Sequence, residues 1–540
     1  MNRKKLKVLI GLSWPYANGR LHIGHVASSL PADALARFHR SIGNDVSFVT
    51  GSDCFGTPIL VQAQAEGVAP AELVDKYHKL FEQDFKALGF TIDAVGHGGG
   101  FGKTMSPQHQ KFVQQFHAEM YKGDYICEKT LPQLYCEKCA RFLPDRYVEG
   151  TCPHCKKDAK GDACDACGKM LEPEELIKPR CKTCKATPVI KDATQLYLRL
   201  SAMQEMLQQY VDKQKHLWPA NAAGMAQRYL DEGLHDRAIT RSMEWGIGVP
   251  EARSEKLRVN SEEWKDRRIY VWAEAVLGYL SASTPEFIVE NMGTQGGRGG
   301  ERPTKLHYYV HAKDNIPFHT IVFQGLLLAN GNGVPKYHMP DIMVSSEHLM
   351  INGDKMSKSK GNVLTASELL SEFDVDMIRY YFLRTTNSAK DSNFTFNDFI
   401  NVVNGELVNN FGNLVNRTLS FVKSKFDGKI PHAKVDICTK EYHDSMLAGK
   451  TSFALGFAMG IVNYGNKFFA EKKPWLSNDK QCIAEVISIL KTCTELLEPF
   501  IPTTCAKVKN WLSGDTLPEI DILFKRLDMK EVKEKFPKYV

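Results

Sequence analysis

Between residues 136 and 184 the chain carries four Cys-x-x-Cys pairs: Cys136 with Cys139, Cys152 with Cys155, Cys164 with Cys167, and Cys181 with Cys184. Thiolates at this spacing can take two corners of a zinc tetrahedron, so four pairs predict two closed, structural four-cysteine sites. Spacing alone leaves open which pairs share an ion. The basic start, Met1 to Lys7, is followed by an apolar run too short for a signal peptide and stopped by Trp14-Pro15. The 14 cysteines are therefore expected in a reducing, cytoplasmic setting, as metal ligands or thiols and not as disulfides. No apolar stretch approaches the ~18 residues of a membrane span, so no membrane partner is expected.

The N-terminal pattern sets the fold class. Lys7 to Leu12 is a short apolar run that reads as a buried strand. Asn18-Gly19 is a turn signal, and from about Leu21 the pattern is helical towards Arg40. His22 and His25 then fall in the first turn of a helix, three apart and on one face. A helix start presents backbone N–H groups and a partial positive charge, which suits a phosphate chain. Gly24 between them allows close approach to the backbone. Val46 to Thr50 reads as a second strand ending at Asp53, with helical patterns at 31–42 and 69–89. Alternation of this kind predicts an α/β, doubly wound, parallel-sheet (Rossmann-like) domain with ligands at the strands' carboxyl ends. His307 to Val310 and Tyr270 to Trp272 read as further strands, and 192–232 as helical. Gly96 to Thr104 imitates a phosphate-binding P-loop, but His97 stands where a glycine is required and Pro107 interrupts the helix. Gly293 to Pro303 reads as a flexible surface insertion without chemistry.

Far downstream, Asn352-Gly353-Asp354-Lys355-Met356-Ser357-Lys358-Ser359-Lys360-Gly361-Asn362 reads as a polar loop whose lysines repel one another unless an anion sits among them. The pair His-Ile-Gly-His and Lys-Met-Ser-Lys-Ser resembles the two signature motifs of class I aminoacyl-tRNA synthetases. Further positions resemble the methionyl-tRNA synthetase family within that class, over essentially the whole chain. The resemblance implies ATP, with Mg2+, as a substrate held by His22, Gly24, His25, Asp314, Lys358 and Arg241. His22, His25, Lys355 and Lys358 are its implied catalytic residues. Methionine binding is implied for Ser13, Trp14, Tyr16, Asp53, Trp272, Tyr279, Asn315 and His319, with Asp53 holding the ammonium group. Trp14, Asn315 and Val276 depart from the residues usual in that family. It also implies nested zinc sites, the two middle cysteine pairs on one ion and the two outer pairs on the other.

Beyond the loop, Thr365 to Glu368 is a capping box, and 397–513 reads as about five amphipathic helices punctuated at Gly428 and Pro474. The last twenty residues are charged and expected to be loosely held. The resemblance implies that Asn409, Asn413, Arg417 and Trp475 read a tRNA anticodon. The expected order is a Rossmann-like catalytic domain in two halves, 1–118 and 236–335, split by a zinc-knuckle connective insertion at 119–235. A loop and stem-contact region follows at 336–395, then a C-terminal α-helical bundle at 396–540. The formal charge of +6 falls to about +2 once eight thiolates and two divalent ions are counted, so a nucleic-acid surface requires local clustering. The expected activity is a ligase that forms methionyl-adenylate and charges tRNA(Met), acting as a monomer. The alternatives are a cysteine or leucine/valine class I synthetase, a nucleotidyltransferase, and a non-catalytic tRNA-binding paralogue.

Overall fold

The computed structural model describes residues 5–93, 100–144, 147–161, 164, 166–167, 169–253, 257–260, 262, 264–290, 304–356 and 361–540. The expectations placed on His97, on 293–303 and on Lys358 lie outside the described residues. The chain divides into two compact units: Met1–Arg20, Ser47–Gln83 and Ile92–Met343 form the first, and Leu21–Val46, Asp84–Thr91 and Val344–Val540 the second.

In the first unit the strand β1 (Lys7–Leu12) buries Val8, Leu9, Ile10 and Leu12. It runs beside the strand Lys305–Ala312 in parallel, in register from Lys7 opposite Lys305 to Leu12 opposite Val310. Near-continuous apolar runs suit strands covered on both faces. Gly11 lets aromatic rings close on β1, since a Cβ there would lie 2.8 Å from the Tyr279 ring and 3.0 Å from that of Tyr309. The chain leaves these two strands at Ser13 and at Lys313, so ligand-facing positions follow directly at their carboxyl ends.

The cysteine-rich segment hangs from an antiparallel ribbon, Ile126–Cys136 with Val189–Leu198, paired from Ile126 opposite Leu198 to Tyr135 opposite Val189. This corrects the helical reading of 192–232 at its start: a 3₁₀ turn, Leu200–Met203, follows the strand, and α-helix begins only at Gln204. The strand's partner lies some sixty residues away, so no local periodicity announces it. Tyr270 to Trp272 is likewise corrected: the strand there ends at Ile269 and Val271–Ala273 is a 3₁₀ turn.

In the second unit, α1 (Ile23–Ser41) is buried along most of its length. Its Asp33 meets the fully buried Arg379, whose Nη2 donates to the carboxylate at 2.7 Å. The other Arg379 donors satisfy the carbonyls of Leu88, Pro499 and Phe500. Burial alone would raise the Asp33 pKa, but Arg379 and then Arg37 overrule it and hold the carboxyl below its ordinary value. Removing one partner of such a pair costs about 3–5 kcal/mol. The bundle follows as expected. Phe396–Val402 continues through a π-helical stretch, Val403–Gly412, into Asn413–Lys425; Lys440–Leu447, Thr451–Lys472, Lys480–Leu497 and Pro502–Trp511 come next. The last twenty residues are not loose. Helix Met529–Lys535 leads to Phe536, whose ring lies 5.8 Å from Phe373 and 4.6 Å from Phe396.

Candidate functional site

The second unit builds the helix end. His22 is the N-cap of α1 and His25 its third helical residue. Nδ1 of His22 accepts the Gly24 N–H at 3.1 Å, and Nδ1 of His25 accepts the His22 N–H at 3.2 Å. The two rings lie 3.9 Å apart, both half-buried. A neutral imidazole that accepts through Nδ1 carries its proton on Nε2. The reciprocal cap therefore sets both rings as Nε2–H donors, the polarity an anion needs. Gly24 is required by packing, since a Cβ would meet the His22 ring at 2.9 Å and Met356 Cε at 3.0 Å. Met356 belongs to the distant lysine loop, so the two signature segments touch within one unit. The loop's return strengthens this. Ile23 N–H donates to Leu364 O at 3.0 Å, Ala366 N–H to Leu21 O at 2.9 Å, and Thr365 caps the next helix in a box with Glu368. Lys355 is exposed, opposite Met350 in a short hairpin, and its carbonyl accepts from Asn362 Nδ2 at 3.2 Å.

The first unit builds an aromatic pocket. Ser13 N–H donates to Val310 O at 2.9 Å, fixing the start of the turn past β1. Tyr16 pairs with Asp53 in a parallel bridge, which aligns their backbones; Asp53 is buried and its carboxylate accepts the Phe55 N–H at 3.3 Å. Trp272 stands edge-on to Tyr16 at 6.4 Å and stacks flat on Phe318 at 3.6 Å. His319 sits on a π-helical turn, Phe318–Val322, a form frequent at functional sites. Its Nδ1 donates to Asn315 O at 2.8 Å, so Nε2 accepts the Tyr279 hydroxyl at 2.7 Å. Burial pushes the His319 pKa down to about 4, so the ring is neutral at physiological pH. Trp14 is buried against Gly102 and Gly278, where a Cβ would come within 2.7 and 2.8 Å of its ring.

Asp314 is exposed just past the strand Lys305–Ala312. Arg241 is the middle residue of the strand Thr240–Ser242. It is buried, its Nη1 donates to the carbonyls of Ala238 and Thr240, and its guanidinium lies over the Tyr270 ring at 3.9 Å. Sequence reasoning missed Phe318, though it precedes His319 in the same segment. It also missed Glu274 and His109, buried together beneath Trp14 with Nε2 to Oε2 at 2.9 Å.

The cysteines gather as two groups, Cys136, Cys139, Cys181, Cys184 and Cys152, Cys155, Cys164, Cys167, each with all ligand atoms within 4.8 Å of one another. This is the nested pairing that the family resemblance implied. Sulfur separations of 3.4 to 3.9 Å fit a tetrahedron with Zn–S of about 2.3 Å, whose sulfurs stand ~3.8 Å apart. In every pair the first cysteine is buried and the second half-exposed.

On the helical bundle, the Arg417 guanidinium lies 3.9 Å over the Phe469 ring, and Phe469 stacks on Trp475 at 5.9 Å. Trp475 is 46% exposed, so one face of its ring is open to a stacking partner. Asn413 Nδ2 donates to Asn466 Oδ1 at 3.4 Å, and Asn409 Oδ1 accepts from Arg526 Nη1 at 3.0 Å. Among the described residues no helix is long and apolar enough to cross a membrane.

Residues 8–419 match the family model described as tRNA synthetases class I (M). Methionine–tRNA ligase 1 of Alkaliphilus oremlandii is 38% identical over 99% of each chain. Methionine–tRNA ligase of Bacillus mycoides is 37% identical, again over 99% of each. Among solved structures, Mycobacterium tuberculosis methionyl-tRNA synthetase in complex with methionyl-adenylate matches with a TM-score of 0.74 at 22% identity, covering 97% of this chain and 100% of the other.

Proposed function

The chain belongs to the class I tRNA synthetases of the methionine type, and from that premise we propose how its own residues carry out the reaction. It is a methionine–tRNA ligase: it joins methionine to ATP as methionyl-adenylate, expelling pyrophosphate, and passes the methionyl group to the 3′ end of tRNA. The observation that carries the mechanistic reading is the reciprocal cap of His22 and His25, which aims two N–H donors from a helix start.

In the first step a carboxylate oxygen attacks the α-phosphorus and the bond to the β-phosphate oxygen breaks. No protein nucleophile is needed; positioning and charge neutralisation carry the step. His22 and His25 donate to phosphate oxygens through Nε2. Gly24 leaves the backbone approachable, and Lys355 and Lys358 balance the charge that grows on pyrophosphate. Asp314 accepts from the ribose hydroxyls. In the second step a tRNA ribose hydroxyl attacks the carbonyl and AMP leaves.

Asp53 pairs with the substrate ammonium. Tyr16, Trp272, Tyr279 and His319 enclose the thioether, which a polarizable aromatic wall favours. Ser13, Trp14 and Asn315 shape that pocket from the strand ends. A neutral His319 suits this task, because a charged wall would hold water against the methyl group. The eight cysteines hold two zinc ions, which supply cross-links to a segment too small to stand on its apolar core. Mg2+ accompanies ATP. Asn409, Asn413, Arg417 and Trp475 bind unpaired anticodon bases by amide and guanidinium hydrogen bonds and by stacking. The enzyme works as a cytoplasmic monomer with tRNA(Met) as partner.

Methionine-dependent ATP–pyrophosphate exchange tests the first step, and exchange driven better by leucine, valine or cysteine would end this assignment. Trp475→Ala tests the last. Loss of one stacking platform is worth ~1–3 kcal/mol, so charging efficiency should fall roughly five- to a hundredfold while exchange stays intact.

A further inference from the structure

We propose that Tyr539 is a positioning residue for adenylate formation, clasping both roots of the loop that carries Lys355; this rests on the activity read above. The loop opens at Asn352, whose backbone is left-handed at φ +51°, and its described return begins at Gly361. Asn352 Nδ2 donates to the Tyr539 carbonyl at 2.9 Å, and the Tyr539 hydroxyl donates to the Val363 carbonyl at 2.8 Å. One buried residue thus joins the two ends of the loop.

What lies beyond each root gives the contact its consequence. Past Val363, Leu364 accepts the Ile23 N–H and Thr365 forms a bridge with His22. Past Asn352, the turn at Gly353 leads to Lys355, and Met356 closes on Gly24. Tyr539 therefore stands behind both the histidine pair and the first loop lysine. Its own position is fixed from Phe536, held between Phe373 and Phe396, and by Lys535 paired with Glu372. A loop that must balance charge at one instant gains from fixed roots, because a misplaced donor costs rate more than it costs binding.

Tyr539→Phe removes the hydroxyl and keeps the ring and the carbonyl. One hydrogen bond lost at a positioning contact predicts a fall of about two- to tenfold in kcat for methionine-dependent exchange. The ATP KM should rise, with methionine KM and melting temperature unchanged. Asn352→Gly keeps the left-handed backbone and cuts the other tie, and should move the same quantities in the same direction. Amide exchange at 352–356 and 361–366 should quicken in both variants. A Tyr539→Phe enzyme equal to the parent in kcat and ATP KM would overturn the proposal. A parallel loss in melting temperature and both KM values would overturn it too, as a structural effect only. If the parent chain shows no methionine-dependent exchange, the activity reading fails; the amide exchange then decides the clasp by itself, and unchanged protection would end it.

Discussion

The helix end and the aromatic pocket both rest on imidazoles, and their settings divide the work. His22 and His25 are half-buried, and backbone N–H groups occupy their Nδ1 atoms, leaving the proton on Nε2. His319 is fully buried, donates through Nδ1 to Asn315 O, and accepts a tyrosine hydroxyl at Nε2. The first pair is built to donate outward, and the second ring is held neutral as a wall. One side chain is thus set as an outward donor in one place and as an inward acceptor in the other, and the polarity is set by whether the backbone offers Nδ1 an N–H or a carbonyl.

That difference can be broken from either side. The largest effect is expected from His25→Ala. Losing one preorganised donor at developing charge costs on the order of a hundred- to a thousandfold in kcat, so exchange should collapse with methionine KM nearly unchanged. Next comes Asp53→Ala. A charged hydrogen bond is worth ~1.5–3 kcal/mol, so methionine KM should rise roughly ten- to a hundredfold while ATP KM holds. Tyr279→Phe is smaller. It leaves the buried His319 Nε2 without its donor, at about 1–3 kcal/mol, read as a raised methionine KM and a lower melting temperature.

The smallest effect lies outside the site and sharpens the contrast, because here an imidazole is charged. His338 bonds Glu290 at 2.7 Å and Asp341 at 2.9 Å. Burial would lower its pKa, but the two carboxylates overrule it and raise it to about 9. A raised folded pKa gives stability fully present below the unfolded value and lost as pH climbs through the folded one. Stability should therefore decline between about pH 6.5 and 9, by roughly 1–3 kcal/mol in all. Chemical denaturation across that range measures it, and His338→Gln should flatten the slope.

Much of this was legible in the residues because their signals are local. The four cysteine pairs, the His22–His25 turn and the Thr365 capping box each depend on spacings of two to four residues. What was illegible depends on distant partners. Val189–Leu198 is a strand only because Ile126–Cys136 lies beside it. Arg241 turns towards the Tyr270 ring and the carbonyls of Ala238 and Thr240. The π-helical turns at His319 and Asn409 leave no mark in periodicity. Tyr539 looks like part of a charged tail until Asn352 and Val363 are seen against it.

The central claim is that the reciprocal cap makes His25 an Nε2–H donor to ATP. Glutamine extends an amide N–H to about the reach of Nε2, whereas asparagine reaches only as far as Nδ1, where it can restore the cap but not the donor. Methionine-dependent exchange measured on His25→Gln and His25→Asn therefore decides the matter. The account predicts that His25→Gln keeps a substantial share of kcat while His25→Asn falls to the level of His25→Ala. Retained activity in His25→Asn with loss in His25→Gln would contradict it.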